Sequence, residues 1–319
     1  MKATDPLALE VWSPLPPQQS GVADFVHEQL AVLERTLDLT LVVEDESEVA
    51  ADVRRRYRVV SEDQSDATKL RVYHIGNSPL HGFIYREALR VPGVVVLHEW
   101  NLHELLLGFA VTANDFDPYR SQMRREHGAR GTIAAQTIAS ALGGRHWTVG
   151  FPLNVEILER AVAVICLSAS TAVRVTNRAP GLRLLHLPHH ALLVSHAADR
   201  LEARARLGLA SHARVVLLPG LQTASKSLEV ARTAMEIIRP RVKETLLVTV
   251  GGVPALTNLG GEGVDSLHLG RVDLETLGDA LLAADVVLAL RFPSRGETSG
   301  VLMRALAAGR ASVVSSGST

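Results

Sequence analysis

The chain has 319 residues, a formal net charge of −1 and a single cysteine. With 47% apolar and 21% charged residues it is a globular sequence of about two domains, which excludes disorder. The near-zero charge excludes a whole-molecule field that draws nucleic acid, and no run reaches the ~18 apolar residues of a membrane span, which leaves only peripheral membrane contact open.

In chain order, short apolar runs alternate with amphipathic segments. A first strand over residues 6–11 leads into the turn-rich Trp12-Ser-Pro-Leu-Pro-Pro-Gln-Gln-Ser-Gly21. A helix over 24–37 follows, with Phe25, Val26, Leu30, Leu33 and Leu37 inward. Strands are expected at 39–43, 57–60 and 71–75, then a helix over 81–89. Residues 93–98 form a β-branched run suited to a parallel sheet buried on both faces. Helical sequence extends to about residue 142, broken near 115–118 and ended by Gly143-Gly144. A short helix at 154–159 and strands at 161–167 and 182–187 complete the first half. Cys166 lies in the first of these strands and reads as a core thiol, which suits a reducing cytoplasmic setting.

Residues 196–213, rich in Ala and Arg, are expected to link domain 1–195 to domain 214–319, with a helix of their own over 199–207. The pattern then restarts, with strands at 215–218, 245–250, 267–269, 285–290 and 311–315. Helices are expected over 227–239, around 274–282 and over 300–308. This βαβα order predicts two parallel sheets covered by helices. The sequence stops just after a strand, so the second domain is expected to be incomplete, with one sheet edge exposed.

Several stretches carry candidate chemistry. His98-Glu99-Trp-Asn-Leu-His103 looks like a zinc motif, but its second histidine comes at i+5, about 140° round a helix from the first. The pair cannot converge on one ion. His189 and His190 are adjacent and read as loop residues, and Ser78 lacks the closing glycine of a nucleophile elbow. No metal site is expected, and no dinucleotide or P-loop signature occurs. Gly21 opens the first helix and lets backbone approach a ligand, although an ordinary helix start with Asp24 as its acid reads equally well. His98 at a strand end is either ligand-facing or a loop histidine held by backbone. Lys226 precedes a helix that can hold a phosphate, and otherwise is a solvated lysine. The loop from Arg291 to Ser299 places Glu297 ahead of a helix N-terminus, where open α/β sheets bind ligands.

Together these stretches resemble the family 4 retaining glycosyltransferases of GT-B fold. The most specific pieces are Pro14-Leu-Pro-Pro-Gln-Gln-Ser-Gly-Val-Ala-Asp-Phe25, Tyr73-His-Ile-Gly-Asn-Ser-Pro-Leu-His81, Gly93-Val-Val-Val-Leu-His-Glu99, Leu187-Pro-His-His-Ala191, and Arg295-Gly-Glu-Thr-Ser-Gly300 with Ala307-Ala-Gly309. The resemblance implies two Rossmann-like domains facing a cleft. It implies metal-independent, retaining transfer of a hexose-type sugar from a nucleotide-diphosphate donor, with no cofactor beyond that substrate. The acceptor is unassigned: a glycan, a lipid-linked sugar or a small molecule.

The resemblance also assigns roles. His98 lies near the donor sugar, Lys226 at the leaving diphosphate and Gly21 beside the donor phosphates. Glu297 holds sugar hydroxyls, with Arg295, Thr298, Ser299 and Gly300 on the donor as well. Asp24, Asn77, His81 and His190 fall on the acceptor side. Two departures stand out. Arg304 or Ala305 occupies the place of the family's second, ribose-binding glutamate. Leu221-Gln222 stand where an arginine is usual, so Arg291 or Arg295 is expected to supply that charge. These departures keep two alternatives in view: a non-catalytic nucleotide-sugar- or partner-binding relative, and a GT-B nucleotide-sugar epimerase.

Overall fold

A computed structural model describes residues 6–140, 142, 146–220, 226–252 and 265–316. The chain divides into two units: Met1–His189 with Arg295–Thr298, and His190–Ser294 with Ser299–Thr319.

The first unit holds β1 (Leu7–Trp12), β2 (Leu37–Val43), β3 (Arg58–Ser61), β4 (Leu70–Ile75), β5 (Val94–Leu97), β6 (Ala163–Cys166) and β7 (Arg183–His186). They form one parallel sheet in the order β3-β2-β1-β4-β5-β6-β7. Strand periodicity divides its apolar residues between two faces. Leu9, Val11, Leu39, Leu41 and Val43 pack with Phe25, Val26 and Leu30 of α1 (Gly21–Leu33). Trp12, Tyr73, Ile75, Leu97 and Val164 join a second core with α3 (Gly82–Arg90) and α4 (His103–Ala113). Complete burial of one such side chain, Leu30 for example, contributes about 2 kcal/mol. β4 also carries a buried charge. Arg71 is 2% exposed, pairs with Glu10 and Glu87, and lies over the Trp12 ring.

Helix ends follow local chemistry. α1 begins three residues before the expected start because the Ser20 hydroxyl accepts the Val22 N–H at 3.2 Å. α4 stops at Asn114 in left-handed conformation, and Pro118 sits in the first turn of α5 (Asp117–Ala139), which accounts for the expected break. α5 bends again at Gly128, whose φ of 60° and ψ of −141° are not helical. This bend, α2 (Ala51–Arg56), α6 (His146–Val149) and α8 (Ala169–Arg178) are not among the elements expected from the sequence. α7 (Val155–Arg160) has its first amides capped by the Glu126 carboxylate of α5. The expected helix end at Gly143-Gly144 lies outside the described residues.

In the second unit the described strands are β8 (Arg214–Pro219), β9 (Thr245–Val250), β10 (Ser266–His268), β11 (Val286–Ala289) and β12 (Ala311–Val314). They are parallel, in the order β10-β9-β8-β11-β12. α10 (Leu228–Ile238) presents Ala231 and Met235 to one face, while α11 (Leu274–Ala283) and α12 (Gly300–Ala307) contribute to the core on the other. Residues 196–213 carry α9 (Arg200–Arg206), whose Arg204 and Arg200 both pair with Asp285 just ahead of β11. The chain at 195–197 is held to α11 by Asp279, which accepts from the Ser195 hydroxyl and from the amides of His196 and Ala197. β12 is an edge strand, with Val313 and Val314 half-exposed.

Candidate functional site

In the first unit strand order reverses between β1 and β4, the place where open α/β sheets gather ligand-binding loops. The loops after β1, β4 and β5 bring Gly21, Asp24, Asn77, His81 and His98 to the carboxyl ends of these strands. Gly21 and Asp24 are exposed in the first turn of α1. Among the described residues nothing requires glycine at 21: its φ is not in the positive region, and a Cβ there would meet no atom within 4 Å.

His98 is 9% exposed and its N–H donates to the Ile75 carbonyl at 2.9 Å. Its Nε2 lies 3.0 Å from Nδ1 of His74. Phe25 of α1 meets the His98 ring edge-on at 5.0 Å and that of His189 at 4.7 Å. Burial, then the neighbouring His81, lowers the His74 pKa to about 3. His81 is lowered to about 4 by burial, partly offset by its Nδ1–H bond to the His74 carbonyl. A Cβ on Gly76 would stand 2.8 Å from His81 Nε2, so this glycine makes room for the ring. Asn77 supports α4: its side-chain oxygen accepts the Glu104 and Leu105 amides at 2.9 and 3.2 Å. Its Nδ2 is buried with no hydrogen-bond partner among the described residues.

Residues 295–298 belong to this unit and are held within it at several points. Asn101 N–H donates to the Arg295 carbonyl at 3.0 Å, and the Thr171 hydroxyl to that of Gly296 at 2.9 Å. Gly296 has a φ of 76°, and a Cβ there would come within 2.5 Å of Trp100 Cβ. The Arg295 guanidinium pairs with Glu104 in the first turn of α4. The Glu297 carboxylate, 8% exposed, accepts from the Arg295 N–H at 2.6 Å.

The second unit makes a separate cluster. Gly220, with a φ of 96°, directly follows β8 and lies beside Lys226. Lys226 is 6% exposed and therefore is not a solvated surface lysine. A Cβ on Gly220 would lie 3.3 Å from both Lys226 Nζ and Val301 Cγ2 in the first turn of α12. That helix is capped by Ser299, whose hydroxyl accepts the Leu302 N–H at 3.3 Å. A cation and a helix N-terminus thus lie beside one glycine at adjacent strand ends, an arrangement suited to an anionic, oxygen-rich group. Ala305 is fully buried in the core, so Arg304 is the polar position of that turn, and its guanidinium donates to the Leu192 carbonyl at 2.8 Å. Leu221-Gln222 lie outside the described residues, and Arg291 donates its N–H to the Ser315 hydroxyl.

The other histidines have separate places. His98 directly follows β5, whereas His103 is a core residue of α4, its Nδ1 bonded to the Phe151 carbonyl and its Nε2 accepting the Tyr119 hydroxyl. His190 is the first residue of the second unit, whereas Asp24, Asn77 and His81 belong to the first. Burial pushes the Cys166 thiol up to about 11. Among the described residues no group of three or more His, Cys, Asp or Glu is placed to hold a metal ion. No described helix is long and apolar enough to cross a membrane. His74 and Phe25 sit inside quoted motifs, yet no role follows for them from sequence, because strand and helix periodicity marks both simply as buried.

The two parallel α/β units define a GT-B fold. No protein-family model and no curated protein matches the sequence. Solved structures do match. Sucrose-phosphate synthase from Thermosynechococcus elongatus superposes with a TM-score of 0.61 at 15% identity, over 97% of this chain and 81% of that one. HepE of Anabaena, in complex with UDP and glucose, gives 0.59 at 13% identity, over 97% and 80%. WaaG, a glycosyltransferase involved in lipopolysaccharide biosynthesis, gives 0.57 at 13% identity, over 97% and 81%. At such identities the likeness establishes the fold, and chemistry has to be argued from the residues.

Proposed function

We propose that the protein is a retaining, metal-independent glycosyltransferase that moves a hexose-type sugar from a nucleotide-diphosphate donor to a glycan, lipid-linked or small-molecule acceptor in the cytoplasm. The observation that carries this is the buried Lys226 beside Gly220 and the start of α12. Glycosyl transfer passes through an oxocarbenium-like state while negative charge grows on the departing diphosphate. A desolvated ammonium and fixed helix amides oppose that charge without reorganising. Gly21 gives the donor phosphates a side-chain-free approach, while Glu297 and the amides of 298–300 take sugar hydroxyls. His98 acts beside the transferred sugar, and Asp24, Asn77, His81 and His190 fall to the acceptor side.

A second reading, a binding protein without turnover, is favoured by Arg304, which puts no carboxylate at the ribose position, and by the Arg295–Glu104 pair, which neutralises one expected donor cation. One experiment separates the two. The chain is melted with UDP and other nucleoside diphosphates, then assayed for donor turnover with and without acceptors. A ligand at a hundred times its dissociation constant adds about 2.7 kcal/mol of apparent stability. Stabilisation together with Lys226-dependent diphosphate release supports transfer; stabilisation alone supports the binding protein; sugar isomerisation without acceptor supports an epimerase. No shift with any nucleotide removes the donor site from this chain.

A further inference from the structure

We propose that His74 is a positioning residue for His98: through the hydrogen bond between His74 Nδ1 and His98 Nε2 it holds that ring in one orientation and one tautomer, an inference whose kinetic half rests on His98 acting at the donor sugar. The rings lie 5.3 Å apart between centroids, tilted by 36°. His74 itself has little freedom. It is 4% exposed at the end of β4, in register with Val96 of β5, and its carbonyl takes the Nδ1–H of His81. His81 is confined in turn against Gly76. On its other flank His98 meets the Phe25 ring, and its backbone is tied to Ile75.

Of two neutral imidazoles sharing one hydrogen bond, one nitrogen must donate and the other accept, so the tautomer of His98 follows from that of His74. With Nε2 engaged by His74, Nδ1 is the nitrogen that His98 turns to any other group. Burial and His81 keep the His74 pKa near 3, so His74 itself stays neutral at neutral pH. A carboxylate partner would orient the ring but also add negative charge and raise its basicity. A neutral histidine orients it without that change.

The test uses the full chain labelled with 15N-histidine, the His74→Leu and His74→Asn variants, and steady-state kinetics on a nucleotide-sugar donor that the wild type turns over. Wild-type His98 should show one tautomer between pH 6 and 8, and His74→Leu a mixture. In His74→Leu kcat should fall about 10- to 100-fold while donor KM stays within about threefold, because geometry and not ground-state binding is lost. His74→Asn, whose amide reaches the position of His Nδ1, should recover much of the rate. Averaged tautomers in the wild type overturn the proposal, as does an undiminished kcat in His74→Leu. Should His74→Leu not fold, the wild-type spectrum and His74→Asn decide. One wild-type tautomer in a chain that turns over no donor upholds the pairing and defeats the transferase reading instead.

Discussion

The side chain of Lys226 lies against Gly220, so that a Cβ built on this glycine would stand 3.3 Å from the ammonium nitrogen and 3.6 Å from Cε. With φ at 96°, position 220 also carries a backbone conformation that costs any other residue about 1–3 kcal/mol. Gly220→Ala should therefore lose stability of that order in denaturant melts. If a donor diphosphate is held beside Lys226, the substitution should also weaken UDP binding by displacing the ammonium. A variant as stable as the wild type but unable to bind UDP would put the whole effect on Lys226; one that binds normally would separate Lys226 from the nucleotide.

Gly21 makes the opposite case. Its φ is ordinary and the space beside it is open, so Gly21→Ala should melt within about 0.5 kcal/mol of the wild type, or slightly higher through helix propensity. If donor phosphates approach the backbone here, the same methyl should lower UDP-sugar affinity tenfold or more, on the order of 1.4 kcal/mol. Isothermal titration beside a melting curve reads both quantities. Unchanged affinity would return Gly21 to the role of an ordinary helix start.

Much of the fold was legible because each element carries its own period. The β-branched run before His98 became β5, an interior strand between β4 and β6, and Ala231 and Met235 on α10 face the sheet as their spacing implies. Short helices were missed where the apolar signal is thin: α8 rests on the Ser168 cap and on little beyond Ala172 and Val175. The Gly128 bend has no local mark except the glycine itself. The candidate residues stand out in the sequence as types at strand ends, but their contacts do not. That residues 295–298 belong with the first unit depends on Trp100, Asn101, Glu104 and Thr171, more than a hundred positions away in sequence. The tie between His74 and His98 likewise follows from strand register, which a single sequence does not display.

The buried histidines make the first unit acid-sensitive. His74, His81 and His103 have folded pKa values of about 3, 4 and 4, depressed chiefly by burial. In the unfolded chain each titrates near ~6.5. Between these values the unfolded state binds more protons, so the stability these groups contribute is complete above about pH 6.5 and is lost as pH falls towards 4. From pH 6.5 to 5 the loss is on the order of 1.5 kcal/mol for each histidine. Urea melts at pH 7.5 and 5 should show it, and His103→Gln should flatten the dependence by about one proton. A dependence unchanged in that variant would remove His103 from the titrating set.

Glu297 offers the sharpest separation of sugar from nucleotide. Its carboxylate accepts the Arg295 N–H at 2.6 Å, a bond that the amide oxygen of glutamine can also accept. Glu297→Gln should thus keep the loop at 295–298 and its ties to Asn101 and Thr171 while removing one negative charge. If the carboxylate holds sugar hydroxyls, UDP should stabilise variant and wild type equally and UDP-glucose should stabilise the variant less. Turnover should fall about 100-fold, because hydrogen bonds to sugar hydroxyls that strengthen in the transition state supply several kcal/mol. Equal stabilisation by UDP-glucose with normal turnover would make Glu297 a brace of its own loop. A loss of UDP binding itself would place the residue at the nucleotide.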